Sequence, residues 1–336
     1  MKPTNIYTPT IGHLQQAAKI LTSWWVIAFP TETVYGLWAN ALDADAVAKI
    51  YQLKGRPQDN PIISHVGKKE QIARYAYIRN DIEQTIIDEL MPWPITILLP
   101  PKEMIPSIIT AGHPLMSIRI PNHPVAQKLL ALCDFPIAAP SANISTKPSP
   151  TSAKMVYDNL MNNIPIIIDG GRCPVGIEST VVKVEEKKII ITRPGSITKE
   201  DLELLFNYKV EVVYGQKPSA MTPGNRYKHY APDADVSSFT SIEDIKKKIA
   251  SSWSKKIAII ATKEFLKKHE ANMTSMKKKV FELWSEADMI TCAKNLFSLY
   301  HTCDKLWIEN IYIQELPQHG IGYAIMNRVN KSITRK

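Results

Sequence analysis

Short apolar runs alternate with segments of helical period over residues 1 to about 208. That alternation restricts the chain to sheets covered by helices. Strand-like runs lie at 24–30, 61–66, 95–99, 116–120, 136–139, 164–168, 179–184 and 188–193. The last two form a hairpin expected to turn at Glu185 to Lys188. Helical patterns fill 124–132, 151–160 and 199–206, with two more segments between Lys69 and Leu90. Asp43 is placed to cap a helix running to about Leu53. The class is α/β or α+β.

Residues 215–232, GQKPSAMTPGNRYKHYAP, have the composition of a linker. The expected division is 1–214, a linker at 215–232, and a second unit at 233–336. That unit reads helix 242–252, strands 257–261 and 278–283, helix 286–302, strand 307–313 and helix 320–333. The order resembles a small Rossmann-like sheet without a glycine-rich dinucleotide turn.

The net charge of +9 leans toward the C-terminal third, in runs such as Lys246-Lys247-Lys248 and Lys277-Lys278-Lys279. Such a surface suits a polyanion, or is simply a solvated lysine face. The four cysteines, Cys133, Cys173, Cys292 and Cys303, form neither C-x-x-C pairs nor zinc spacing, so no metal ligand set is expected. With no apolar leader or membrane-length run, the expectation is a cytoplasmic protein with no membrane partner.

Polar clusters recur at strand and helix ends. Lys54-Gly55-Arg56-Pro57, followed by Asn60 and His65, suits phosphate: a compact ammonium, a planar guanidinium and a glycine that lets backbone approach. By themselves the same residues suit an ordinary helix C-terminus rather better. As a rim lysine, Lys54 is expected to matter more to turnover than to stability. Ser141 and Asn143 follow strand 136–139, with Ser149 in the next loop, at the edge where α/β ligands collect or where a turn takes its caps. Thr31 to Gly36 and Asp169 to Val181 bring further hydroxyls and carboxylates to strand ends. Arg119, inside an apolar strand, must face water or pair with an anion, either an internal carboxylate or a substrate carboxylate. Arg193 ends the hairpin. P-loop and nucleophile-elbow patterns are absent.

In this order, PTETVYGL at 30–37, KGRPQDNPIISHV at 54–66, SIRIPNHPVA at 117–126, APSAN at 139–143, SPT at 149–151, GIESTVV at 176–182 and RPGSIT at 193–198 resemble the YrdC-like threonylcarbamoyl-adenylate synthase family. PGNRYKHYAP at 223–232 and PQHGIGYAIMNR near the C-terminus resemble its long, two-domain form. The resemblance implies a twisted open sheet with flanking helices, plus a small C-terminal α/β domain. It implies that threonine's amine takes up bicarbonate, and that the carbamate attacks the α-phosphorus of ATP and releases pyrophosphate. A separate transferase then places the product on the adenosine beside the anticodon of tRNAs reading ANN codons.

Residue by residue, the resemblance assigns Lys54, Arg56 and Asn60 to the triphosphate. Ser141, Asn143, Ser149, Arg193 and Tyr230 go to the nucleotide, and Arg119 to the threonine carboxylate. Thr33, His65, Ala139 and Ser179 go to threonine's other groups, and Tyr227, His229 and Tyr230 to a lid. Magnesium is expected with ATP, and contact with tRNA is possible in principle. The chain departs from the family pattern at Trp38, Trp93 and Thr146, where glycine is usual, at Met155 for histidine, and at Asn225 for methionine. Two other readings compete: an RNA-binding, translation-associated module without catalysis, and a carbamoyl-transfer module of the hydrogenase-maturation kind. The second lacks its expected zinc-finger neighbour.

Overall fold

Alternation along the strands lets both faces of the larger sheet bury apolar residues. The computed structural model describes residues 3–23, 25–215, 221–222 and 229–333. Its strands are β1 (Asn5–Tyr7), β2 (Ile27–Phe29), β3 (Gly36–Asn40), β4 (Ile63–His65), β5 (Ile95–Leu99), β6 (Met116–Arg119), β7 (Ile137–Ala138), β8 (Ile166–Ile168), β9 (Thr180–Glu185), β10 (Lys188–Arg193) and β11 (Glu211–Tyr214). They form one mixed sheet in the order β1-β8-β2-β3-β7-β4-β6-β5-β9-β10-β11. Ala28, Leu37 and Ala39 face one apolar cluster, while Ile27, Phe29 and Trp38 face another. Helices Ala44–Lys54, Asp81–Leu90 and Ala153–Leu160 cover the first face. Helices Ile11–Thr22 and Pro124–Leu130 cover the second.

The β9–β10 hairpin is antiparallel, with Lys188 opposite Glu185 as its sequence predicts. The strand expected at 95–99 forms as β5, those expected at 24–30, 61–66, 116–120, 136–139 and 164–168 form but are shorter, and Trp24 lies outside the described residues. β1, β3, β11 and helix Ile11–Thr22 form in addition to the expected elements. That helix buries Leu14, Ala17, Ala18 and Leu21, a helical stripe whose two alanines give little apolar contrast.

By internal contacts the chain divides into two units. One comprises Met1–Ser145, Ser149–Pro174 and Glu178–Tyr227; the other comprises Thr146–Pro148, Val175–Ile177 and Lys228–Lys336. In the second, β12 (Asp235–Phe239), β13 (Ile257–Ala261), β14 (Lys279–Glu282) and β15 (Asn310–Gln314) form a wholly parallel sheet, ordered β12-β15-β13-β14. β12 was not expected, since Asp235-Val236-Ser237-Ser238-Phe239 is mostly polar. The helix expected at 286–302 runs Met289–Lys305, because Asp288 caps it by accepting from Thr291 N at 3.0 Å. The four cysteines are buried and unpaired. Among the described residues no helix is long and apolar enough to cross a membrane.

Candidate active site

Helix Ala44–Lys54 starts where Asp43 accepts from Asp45 N and Ala46 N, both at 3.0 Å. It ends at Gly55, whose φ of +58° is the left-handed conformation glycine adopts at least cost. A Cβ there would meet nothing within 4 Å, so the dihedral, not crowding, selects glycine. The turn brings two cations inside. Lys54 is 2% exposed; its Nζ donates to the carbonyls of Ser141 and Asn143, the latter at 2.6 Å. Its own carbonyl accepts from Ser145 N at 2.7 Å. Arg56 donates from Nε to Asn60 O at 3.1 Å and from Nη2 to Pro61 O at 2.8 Å. Burial first, then the Arg56 charge, pushes the Lys54 ammonium well below its usual pKa, with Glu178 opposing.

The expectation of a rim lysine is therefore corrected. Lys54 is anchored inside the fold, and its removal strands two carbonyls as well as taking away a charge-binding group.

A second group forms around β6. In the β4–β6 ladder His65 stands opposite Arg119. Arg119 Nη2 pairs with Glu32 Oε1, and Nη1 donates to Thr33 Oγ1 at 3.2 Å. The internal carboxylate that the sequence left open is thus present. Thr33 is fixed by a local turn in which Thr31 Oγ1 donates to Val34 O at 2.7 Å and lies 2.9 Å from Thr33 Oγ1. Burial, then the Arg119 charge, holds the His65 imidazole well below its usual pKa, so the ring is neutral.

Arg193 is buried and donates to Ser179 O and Ser179 Oγ, both at 3.0 Å. Ser179 Oγ also lies 2.7 Å from Thr96 Oγ1. The chain turns closely here: a Cβ on Gly195 would fall 2.3 Å from Thr180 N. Ser149 donates to Glu178, a buried carboxylate outside the expected site residues. Glu178-Ser179-Thr180 is wholly polar, so nothing in the local pattern marks that carboxylate as buried. Ala139 pairs its N–H with Ile63 O at 2.9 Å.

All these residues belong to the first unit. His229 and Tyr230 belong to the second, where the Tyr230 ring stacks on Phe297 at 5.3 Å. Tyr227 and Asn225 lie outside the described residues.

Of the unusual positions, Trp38 is wholly buried. Its ring stacks on His65 at 5.7 Å, and a Cβ on Gly36 would come 2.3 Å from its Nε1. Trp93 is 52% exposed. Thr146 takes φ +75°, a conformation that suits glycine and strains a β-branched residue.

Fold and site define the class: an α/β protein with buried cations and hydroxyls gathered at strand ends of a mixed sheet. Residues 19–195 match the Sua5_yciO_yrdC family model, described as "Telomere recombination". Residues 197–333 match the model described as "Threonylcarbamoyl-AMP synthase, C-terminal domain". The chain belongs to the threonylcarbamoyl-AMP synthase family. It is 37% identical to the threonylcarbamoyl-AMP synthase of Pyrococcus abyssi, covering 94% of this chain and 92% of the relative. It is 35% identical to that of Bacillus subtilis, over 95% and 92% of the two chains. The crystal structure of P. abyssi Sua5 complexed with L-threonine superposes with a TM-score of 0.86 at 35% identity, covering 98% of this chain and 96% of that one.

Proposed function

We propose that this chain is a nucleotidyltransferase that makes threonylcarbamoyl-AMP from L-threonine, bicarbonate and ATP. One observation carries most weight. Two buried cations, Lys54 and Arg56, flank a left-handed glycine, and the Lys54 ammonium reaches the Ser141–Asn143 segment. They would exchange neutral carbonyl partners for phosphate oxygens, the stronger, charge-assisted acceptors. Asn60, Ser141, Asn143, Ser149 and Arg193 are the further nucleotide ligands in this reading. Arg119 takes the threonine carboxylate, with Thr33, His65, Ala139 and Ser179 around the remaining groups.

Threonine's nitrogen adds to the carbon of bicarbonate, and water leaves to give a carbamate. A carbamate oxygen then attacks the α-phosphorus, and pyrophosphate departs. Such a displacement depends on positioning and charge neutralisation. ATP enters as its magnesium complex, which adds positive charge at the phosphates. In this reading 1–214 is the catalytic part, 215–232 the connection and 233–336 the C-terminal part. Excluding water protects the labile mixed anhydride. The product passes to a tRNA threonylcarbamoyl transferase in the cytoplasm. The comparisons lend no support to an RNA-binding module without catalysis.

Pyrophosphate release from ATP, with threonine and bicarbonate each omitted in turn, tests this reading. Release should require both. Release with neither would mean a plain nucleotide hydrolase, and no release under any condition would sink the proposal.

A further inference from the structure

The buried ion pair between Glu32 and Arg119 is only half satisfied. Both side chains are 4% exposed. Arg119 spends Nη2 on Glu32 Oε1 and Nη1 on Thr33 Oγ1, while its Nε has no hydrogen-bond partner. Glu32 Oε2 likewise has none. A buried ion pair repays its desolvation only when its remaining donors and acceptors are met. Here one donor and one charged acceptor stay open on the same pair.

The other buried carboxylates are engaged. Glu83 accepts from the Arg79 guanidinium, and Glu178 accepts from Ser149. Among the described residues, Glu32 is the buried carboxylate with an oxygen unmet. Thr33 Oγ1 is used by Thr31 and Arg119, and Ser179 Oγ by Thr96 and Arg193, whereas Ser64 Oγ and Ser117 Oγ, on the strands that carry His65 and Arg119, are buried without a partner.

An open cationic donor beside an open anionic acceptor is the complement of a zwitterion. We propose that Glu32 is the ammonium acceptor of the amino-acid pocket: it reads the α-amino group while Arg119 takes the α-carboxylate. Resting on the synthase reading, this makes Glu32 a specificity-determining residue that restricts the substrate to α-amino acids and holds the nitrogen that must meet bicarbonate. A ligand lacking the amine would leave Glu32 Oε2 buried and unmet, the situation that gives a polar site its selectivity.

The test compares binding of L-threonine and (R)-3-hydroxybutanoate, which is threonine without its amino group, by calorimetry on the full chain. Wild type should prefer threonine by about a hundredfold or more. Glu32→Gln should narrow that ratio to about tenfold or less with ATP affinity unchanged, because the neutral amide cannot discriminate a cation as a carboxylate does. Glu32→Asp guards against a fold lost through the unpaired guanidinium. It should keep the preference for the amine while binding threonine more weakly. Equal binding of the two compounds by wild type, or an unchanged ratio in Glu32→Gln, would overturn the assignment without touching the synthase reading. Binding of neither compound would remove both.

Discussion

Lys54 and Asn143 stand 89 residues apart, yet the ammonium of one sits 2.6 Å from the backbone carbonyl of the other. This contact ties the end of helix Ala44–Lys54 to the loop after β7, and makes one side chain both a structural tie and the first candidate for the triphosphate.

Lys54→Ala should therefore lose stability as well as turnover. Two carbonyls that lose a charged donor cost about 2–4 kcal/mol in total. Urea unfolding measures the loss, and pyrophosphate release measures the turnover. A variant as stable as wild type would show that water replaces the ammonium freely.

Arg119→Ala should cost about 3–5 kcal/mol, because it leaves the Glu32 carboxylate buried without a counter-charge. Adding Glu32→Gln should restore part of that stability but none of the threonine affinity. The double-mutant cycle in urea gives the coupling. Additive single effects would mean that the ion pair contributes nothing to the fold. A loss of ATP affinity with threonine affinity intact would refute Arg119 as the carboxylate clamp.

His65 should make stability fall with acid. Burial and the Arg119 charge lower its folded-state pKa, so the unfolded chain takes up a proton first as pH drops through about 6.5. Stability present above that pH is then lost at up to about 1.4 kcal/mol per pH unit until the folded-state pKa is reached. His65→Gln removes the contribution. The difference in unfolding free energy between pH 7.5 and 5.5 should be smaller in the variant by about 1 kcal/mol. An equal difference would show the imidazole to be protonated alike in both states. Buried His123 is shifted in the same direction by burial and remains in both proteins.

Thr146→Gly should stabilise. A β-branched residue at φ +75° carries about 1–2 kcal/mol of strain, partly offset by glycine's greater freedom in the unfolded chain. A rise in Tm of a few degrees is expected in a thermal melt, and a fall would mean that the threonine side chain contributes more than its backbone costs.

Sequence and structure divide this protein along a physical line. The chain by itself determined the α/β class, the β9–β10 hairpin, the helix cap at Asp43 and the stop at Gly55. Those depend on short-range sterics and patterning, which neighbouring residues report. The ordered motifs also pointed to the family. Strands such as β1 and β12, with little apolar contrast, were not legible, because pairing partners far along the chain hold them in place: β8 for β1, β15 for β12. Only tertiary structure decided that Lys54 is buried, that Arg119 faces Glu32, and that Trp38 stacks on His65. Each of these is a long-range contact in a low-dielectric interior, where position alone determines whether a charge meets water, a carboxylate or a carbonyl.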